Sequence, residues 1–409
     1  MDLSVGTPVD PTPEVVRAAL AAASDAHGYP QTWGTSALRE AVAAWFARRR
    51  GVPDVNPDGV LPTVGSKELV AWLPTLLGIG PGDVVAFPAV AYPTYDMGAR
   101  IAGASPQPMH SLAGLGPMTS ATTPKLLWVN SPSNPTGQVL GVEHLAKVVR
   151  WAREHGVIIA SDECYAELDW RADDMSAAAV LPVAGAVPSI LDPAVCGGSH
   201  EGLLAIYSLS KQSNMAGYRA AFVAGDTALV GRLLEIRKHA GMMVPWPVQE
   251  AMLAALGDDT HVGLQKARYG IRRRRLMSAL ERAGYRIDYS DAGLYLWTTA
   301  DDGEGVGEPD LGSGSGRESA DWSLVAEMAD LGILVTPGSF YGPAGARHVR
   351  IALYGNRRTD RGGSSASGSA AQRGVNLSGF DGGVGPLCHL GYGHLKVGSL
   401  GNEAGTTGG

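Results

Sequence analysis

Residues 203–224 read LLAIYSLSKQSNMAGYRAAFVA and decide how the rest of the chain is interpreted. The apolar run at the start of this stretch predicts a buried strand, and the turn after it carries Ser208, Ser210 and Lys211. Arg219 opens a second apolar strand. Hydroxyl and guanidinium groups hold phosphate through charge-assisted hydrogen bonds, and a lysine amine forms a Schiff base with an aldehyde. A lysine in a turn is more often a surface residue, so this interpretation depends on the remaining sequence.

Composition limits the class of protein. A chain of 409 residues with 45% hydrophobic and 18% charged residues is typical of a globular protein of about two domains. The net charge of −7 argues against nucleic acid as a partner, and the arginine run 272–275 is interpreted as a solvated helix face. Three scattered cysteines suit a reducing compartment, and neither a signal peptide nor a long apolar run is evident. We therefore expect a cytoplasmic protein without a membrane partner.

The first 260 residues predict an α/β fold. A helix capped by Ser36 is expected to reach Arg50, and from about residue 60 short apolar strands alternate with helices, which is typical of a mostly parallel sheet. Six polar or aromatic residues each follow a predicted strand: Ser66, Tyr92, Asn134, Asp162, Tyr165 and Lys211. Ligands of open α/β sheets bind outside the carboxyl ends of the strands, so we expect these side chains to converge on one crevice.

Each of these residues also has a purely structural interpretation. Asn134, between prolines and before Gly137, suits a turn, and Asp162 suits a helix cap. Single tyrosines such as Tyr92 and Tyr165 are more often rim or core residues. The coincidence of six such residues at strand ends favours a binding site over six separate structural roles.

The last part of the chain predicts a smaller α/β domain. Strand 293–298 and helix 321–331 flank a Gly- and acid-rich loop at 301–320 that is expected to be flexible. Strand 348–353 carries Arg350, and an arginine within a buried strand requires an anionic partner.

The motifs GSKE, YPTY, SNPTG, SDECY, SLSKQSNMAGYR and HVRIAL resemble, in order and spacing, those of the fold type I pyridoxal-phosphate aminotransferases. The resemblance covers about residues 1–353. It implies a large cofactor-binding domain with a mostly parallel sheet flanked by helices, and a smaller α/β domain. The expected divisions are an N-terminal arm and helix at 1–35, the large domain at 36–260, the small domain at 261–353 and an aberrant tail at 354–409.

The resemblance also implies roles for individual residues around pyridoxal 5′-phosphate. Lys211 resembles the Schiff-base lysine, which also acts as general base and acid, and Asp162 resembles the partner of the pyridinium nitrogen. Tyr165 and Asn134 resemble the partners of the phenolic oxygen, and Tyr92 resembles the aromatic ring stacked on the cofactor. The expected catalytic residues are therefore Lys211, Asp162 and Tyr165.

Phosphate and substrate residues follow from the same resemblance. The residues that resemble the phosphate cup are Ser66, Lys67 through its backbone, Ser208, Ser210 and Arg219. Tyr29 resembles a tyrosine that reaches the phosphate of the neighbouring subunit, which implies a homodimer with shared active sites. Arg350 resembles the clamp for the substrate α-carboxylate. The substrate-binding residues expected near it are Gly6, Trp33, Gly34 and Asn134.

Within the family, SKQSNMAGYR and FYGPAGARHVRIAL look most like N-succinyldiaminopimelate aminotransferase of lysine biosynthesis. The resemblance then implies amino transfer between glutamate and an N-succinylated 2-amino-6-oxo diacid, with 2-oxoglutarate as the other product. An aspartate- or alanine-type aminotransferase and a β-lyase are the alternatives, together with a cofactor-binding protein inactivated by its tail. A nucleotide-binding module is disfavoured, because no GxGxxG follows the early strands.

The tail departs from the family. Residues 354–409 contain 16 glycines in 56 residues, a disordered composition where the family has a final helix. We hypothesise a frameshift after the Leu353 codon, since codons can be chosen that read TATDGRIAAAVA, a credible helix, in the shifted frame. A natural low-complexity tail is the alternative, and the nucleotide sequence distinguishes the two.

Overall fold

A computed structural model describes residues 1–116, 118–171, 187–300 and 319–354. The predictions for the loop at 301–320 and for the tail at 354–409 therefore lie outside the described residues, except at residues 319, 320 and Tyr354.

The described chain forms two β-sheets with helices packed on them. The large sheet contains β1 Val60–Val64, β2 Val84–Pro88, β3 Ser105–Met109, β4 Leu126–Asn130, β5 Ile158–Asp162, β6 Leu203–Ser208 and β7 Ala220–Gly225. The small sheet contains β8 Tyr285–Asp288, β9 Tyr295–Ala300, β10 Thr336–Pro337 and β11 Val349–Ala352. The helices are α1 Glu14–Ala22, α2 Ser36–Trp45, α3 Ser66–Leu76, α4 Thr94–Ile101, α5 Val142–His155, α6 Pro193–Cys196, α7 Leu209–Gln212, α8 Thr227–His239, α9 Trp246–Gly257, α10 Asp259–Arg282 and α11 Ala320–Asp330.

The large sheet has the order β1-β7-β6-β5-β4-β2-β3. Strands β3, β2, β4, β5 and β6 are parallel, whereas β7 is antiparallel to both β6 and β1. The carboxyl ends of β1, β2, β4, β5 and β6 and the start of β7 therefore lie at one edge. This mixed, largely parallel sheet flanked by helices confirms the predicted fold class.

Apolar residues fill both faces of the large sheet, as expected for strands that are buried on two sides. Along β4, Leu127 and Val129 face a cluster that includes residues of α2, α5 and α9, whereas Leu126 and Trp128 face a cluster with α3, α4 and α8. Alternate residues of a strand point to opposite faces, so both sets can be fully covered. This burial fixes the register in which the strand ends carry their polar residues.

The small sheet has the order β10-β11-β9-β8, and its neighbouring strands are antiparallel. Its core includes residues of α10 and α11 as well as of the strands. Arg350 on β11 lies opposite Trp297 on β9. Paired residues of antiparallel strands share a face, so Tyr295, two residues from Trp297, is on the same face as Arg350.

Several local predictions need correction. The side chain that caps α2 belongs to Thr35, which accepts from the Leu38 amide at 3.1 Å, and not to Ser36. After Trp45 the helix widens into a π-helical turn, Phe46–Arg50, that buries Arg50 against Glu163 at 2.9 Å. The helical segment thus reaches Arg50, as predicted, and its last five residues adopt the wider π-helical form.

The arginine run also differs from the prediction of a fully solvated helix face. Arg272 pairs with Asp10 at 2.6 Å, and Arg273 donates to the Ser290 carbonyl at 2.7 Å. Within the run, Arg274 and Arg275 are exposed, whereas the other two face segments that pack against α10. The run thus joins the helix to the N-terminal arm and to the small sheet.

Candidate active site

Lys211 lies in a short helical turn that follows β6. Helix α7 begins after Ser208, whose hydroxyl accepts from the Ser210 amide at 3.2 Å and donates to the Ser210 hydroxyl at 2.9 Å. The Lys211 ammonium donates to the Gly6 carbonyl of the N-terminal arm at 2.6 Å. The predicted turn is therefore a single helical turn, and it directs the amine toward the arm.

Asp162 ends β5 with its carboxylate buried and held from two sides. Tyr95 donates its hydroxyl to Oδ2 at 3.0 Å, and the Cys164 amide donates to Oδ1 at 3.2 Å. Burial raises the pKa of the Asp162 carboxyl, while the bonds from Cys164 and Tyr95 oppose that rise. A group with this raised pKa is suited to sharing a proton with a basic nitrogen.

An anion cradle lies where β1 meets β7. Gly65 precedes α3 with φ +78°, and the first turn of α3 has no side-chain cap, so its amides face outward. A methyl group on Gly65 would lie 2.0 Å from Nη2 of Arg219, which shows how closely that guanidinium approaches the helix start. Arg219 reaches this position from φ +55°, anchored by a 2.7 Å bond to the Ala216 carbonyl. A helix N-terminus beside an arginine suits a phosphate.

Arg350 is 8% exposed and lies in an aromatic and polar enclosure. Its guanidinium donates to Oδ1 of Asn134 at 3.2 Å and to the Ser4 carbonyl at 2.6 Å, and its centre lies 4.0 Å from the ring centroid of Tyr295. Its Nε is buried and unpaired within the described part of the chain. This planar group could donate two hydrogen bonds to the oxygens of a carboxylate.

The Asn134 loop connects both sheets. Asn130 accepts from the Asn134 amide at 2.8 Å and donates to the Asp162 carbonyl at 2.9 Å. The bonds Ser131–Pro132 and Asn134–Pro135 are both cis. Gly137, at φ +73°, accepts from the Ala292 amide at 3.0 Å. The loop therefore places Asn134 between the Asp162 strand and the small sheet.

Tyr92 and Tyr165, the two other aromatic residues predicted near the cofactor, have different surroundings. The Lys67 ammonium lies 5.8 Å from the ring centroid of Tyr92, which also packs edge-on against Tyr95 at 5.9 Å. Tyr165 contacts Tyr295, with 3.2 Å between their hydroxyl oxygens. Both tyrosines therefore adjoin the side chains around Asp162 and Arg350.

The structure does not bring three of the predicted residues into this group. Trp33 stacks with Arg39 at 3.9 Å, and a methyl group on Gly34 would meet Pro62 of β1 at 2.9 Å. Their described contacts are thus beside β1 and not with Arg350. Tyr29 is 97% exposed, so it has little contact with the rest of its own chain.

Sequence reasoning missed three residues of the site: Tyr95, Cys164 and Tyr295. Tyr95 lies in the first turn of α4, three residues after Tyr92, and helical spacing could have placed both on one side. Burial and the Asp162 carboxylate raise the pKa of the Cys164 thiol, which the Ser66 hydroxyl and Lys211 oppose. Tyr295 had no local signal, because its partners lie far away in the chain.

A cavity of about 760 Å³ lies between the sheets but is not centred on this site. Its lining includes Asn130, Lys147, Trp297 and His348, and none of the predicted site residues. The hydrogen-bond geometry around Lys211 and Asp162 therefore defines the candidate active site better than cavity size does.

Comparisons with known proteins agree on a family. The family model described as aminotransferase class I and II matches residues 1–361. The chain is 54% identical to 4-dedimethylamino-4-oxo-anhydrotetracycline transaminase OxyQ of Streptomyces rimosus, covering 86% of this chain and 89% of that protein. It is 55% identical to a probable aminotransferase of Mycobacterium tuberculosis, covering 86% and 76%.

A solved structure gives the same result at lower identity. The fold matches a probable N-succinyldiaminopimelate aminotransferase from Thermus thermophilus with a TM-score of 0.71, at 27% identity and over 86% of this chain and 90% of that one. Among the described residues, no helix is both long and apolar enough to span a membrane.

Proposed function

Because this chain belongs to the class I and II aminotransferases, whose members use pyridoxal 5′-phosphate, we propose that Lys211, Asp162 and Arg350 carry out its amino transfer. Family membership makes the chain an aminotransferase that acts on amino acid and 2-oxo acid substrates. The assignment of these residues, the finer substrate and the dimer are proposals.

The residues present fit the cofactor. Its phosphate suits the cradle at Gly65 and Arg219, where the open amides of α3 meet a guanidinium. The buried Asp162 carboxylate suits the ring nitrogen, and Tyr92 supplies a ring for stacking. When bound, pyridoxal 5′-phosphate supplies the aldehyde that carries the amino group and the ring that accepts electrons from the substrate.

Each residue has a task that follows from its surroundings. Lys211 would hold the cofactor through its amine, and the same Nζ would accept and return the proton of the substrate α-carbon. Asp162 keeps a proton at the ring nitrogen, because a buried carboxylate favours a cationic partner. Tyr165 and Asn134 stabilise negative charge on the ring oxygen through hydrogen bonds.

The observation that carries this proposal is the spacing of the two cations along the N-terminal arm. Lys211 binds the Gly6 carbonyl and Arg350 binds the Ser4 carbonyl, both at 2.6 Å. Two residues of extended backbone span at most about 7 Å. An α-amino acid whose carboxylate binds Arg350 would therefore have its amino group close to the Lys211 amine, which it would replace on the cofactor.

For the substrate we propose glutamate as donor and an N-succinylated 2-amino-6-oxo diacid as acceptor, the pair of N-succinyldiaminopimelate aminotransferase. The motif resemblance and the fold of the Thermus thermophilus protein support this choice. A second candidate is a polycyclic ketone, because the similar Streptomyces rimosus protein is named as a transaminase of a tetracycline precursor.

We also propose a homodimer that shares its active sites. Tyr29 supports this proposal, because a large aromatic side chain that is 97% exposed on one chain is available for a contact with another. Sedimentation of the purified protein would test the dimer, and a Tyr29→Phe variant would test whether its hydroxyl contributes to cofactor affinity.

The substrate proposal is tested by half-reactions. Cofactor-loaded protein is mixed with glutamate, N-succinyldiaminopimelate, aspartate or alanine, and the loss of visible cofactor absorbance is recorded. The aminated protein is then mixed with 2-oxo acids and with a polycyclic ketone. Fast reaction with both glutamate and N-succinyldiaminopimelate supports the first candidate. Recovery of the absorbance with the ketone as well as with the 2-oxo acid of the donor, together with no reaction of N-succinyldiaminopimelate, supports the second. Pyruvate release without amino transfer would instead indicate a β-lyase.

A further inference from the structure

Tyr295 lies at the meeting point of the groups assigned above. It is on β9 and 5% exposed, its hydroxyl oxygen is 3.2 Å from that of Tyr165, and Arg350 stacks on its ring at 4.0 Å. A methyl group on Gly6 would lie 2.2 Å from the Tyr295 hydroxyl. One side chain thus contacts the large sheet, the small sheet and the N-terminal arm.

The surrounding groups shift the pKa values of the two phenols in opposite directions. Burial raises the pKa of Tyr295, but the cations of Arg350 and Lys211 outweigh burial and lower it below its usual value. Burial and the neighbouring Tyr295 phenol raise the pKa of Tyr165. Either hydroxyl can donate the 3.2 Å bond between them, and we take Tyr295 as the donor because this leaves the Tyr165 proton for the cofactor oxygen. Two further phenols that interact with Tyr295 are those of Tyr341 and Tyr354.

We propose that Tyr295 is a positioning residue, whose hydroxyl orients and polarises Tyr165 and whose ring supports the Arg350 guanidinium. This inference rests on the proposed function. Tyr165 follows β5 of the large sheet, whereas Arg350 is on β11 of the small sheet. Tyr295 therefore keeps the part of the site that holds the cofactor in register with the part that holds the carboxylate.

The close approach of Gly6 extends this role to the N-terminal arm. Its carbonyl accepts from Lys211, and its missing side chain leaves room for the Tyr295 hydroxyl. The backbone of Gly6 has an ordinary φ, so the requirement for glycine here is steric and comes from Tyr295.

The hydroxyl is tested with Tyr295→Phe, which keeps the ring. A Tyr165 hydroxyl that accepts a hydrogen bond is a stronger donor to the cofactor oxygen. Loss of the Tyr295 bond should therefore favour the protonated lysine-linked nitrogen and raise the pH midpoint of the visible absorbance change. A neutral hydrogen bond contributes about 1 kcal/mol, of which a part is transmitted, so we expect a rise of about 0.5 pH unit.

The ring is tested with Tyr295→Leu, which removes the platform under Arg350. We expect the KM for glutamate to rise about threefold or more, because a partly desolvated cation–ring contact contributes at least this much. Tyr295→Phe should leave this KM within about twofold. The two variants thus separate the hydroxyl from the ring.

Tyr285→Phe is the matched control. Tyr285 is a buried tyrosine of the same sheet, and its hydroxyl donates to Glu327 at 2.9 Å. Its removal should leave both the absorbance midpoint and the KM for glutamate unchanged. Thermal unfolding of each variant without cofactor shows whether the fold is retained.

The outcomes separate this inference from the proposed function. Wild-type protein that binds no cofactor and shows no visible band contradicts the proposed function itself. A normal wild-type band with an unchanged midpoint in Tyr295→Phe contradicts the role of the hydroxyl. A KM in Tyr295→Leu equal to that of Tyr295→Phe contradicts the role of the ring.

Discussion

The hydrogen bond from Tyr95 to Asp162 predicts a pH-dependent stability difference. Tyr95→Phe removes one oxygen and keeps the ring, which stacks on Trp128 with centroids 4.7 Å apart. The lost bond spans 3.0 Å and leaves Asp162 with the Cys164 amide. A hydrogen bond to an ionised group contributes about 2 kcal/mol and one to a neutral group about 1 kcal/mol.

The sign of the pH dependence follows from the pKa of Asp162. Burial raises this pKa in the folded protein above its unfolded value, so the folded state binds the proton more tightly. The contribution of Asp162 to the free energy of unfolding is therefore most favourable below its unfolded pKa. This contribution declines as the pH rises through its folded pKa. Tyr95→Phe raises the pKa of the folded Asp162 carboxyl further, because the bond that it removes favours the ionised form. The loss of unfolding free energy caused by Tyr95→Phe should therefore grow from about 1 kcal/mol, where Asp162 is neutral, to about 2 kcal/mol, where it is ionised.

The assay is urea unfolding of the cofactor-free protein at several pH values. Tyr207→Phe is the control, because it also removes a buried phenol hydroxyl but one that bonds the uncharged Gln212. Tyr207→Phe should lower the free energy of unfolding by the same amount at every pH. If the difference in unfolding free energy between Tyr95→Phe and the wild type is also independent of pH, Tyr95 does not bind an ionised Asp162.

Three further variants test other parts of the account. Gly65→Ala should weaken cofactor binding at least tenfold, because the added methyl group collides with Arg219. Gly78→Ala is the control, since Gly78 also has a positive φ but faces open space. Equal cofactor affinities of the two variants would contradict the phosphate cradle. Arg350→Lys should raise the KM for glutamate about tenfold or more, since an ammonium cannot form the two parallel bonds of a guanidinium, and a change below twofold would argue against this role. Glu163→Gln, which breaks a buried ion pair, should lower the free energy of unfolding by about 3 kcal/mol or more in urea titrations, and a loss under 1 kcal/mol would indicate that the pair is dispensable.

The positions of residues that directly follow a strand could be predicted from the sequence. Lys211, Asp162 and Asn134 each follow an apolar run, and parallel strands bring such positions to one edge whatever the details of packing. Helix α5 shows which bounds are recognisable from the sequence, because its apolar spacing and the Gly156 stop signal are local.

The residues that were missed depend on contacts between distant segments. Tyr95 and Tyr295 are recognisable only through their bonds to Asp162 and Tyr165, which are 67 and 130 positions away. Strands β3 and β8 also escaped notice, because β3 carries two prolines at an edge and β8 is short and polar. For Trp33 the family resemblance implies a substrate contact, which stays a prediction, and in the structure its ring stacks with Arg39.

The most direct test of the account is to identify the lysine that carries the cofactor. Protein loaded with pyridoxal 5′-phosphate is reduced with sodium borohydride, digested and analysed by mass spectrometry. We expect a pyridoxyl group on Lys211, and a Lys211→Ala protein that folds but shows neither label nor visible absorbance. Labelling of another lysine in the wild type, with Lys211 unmodified, would contradict it.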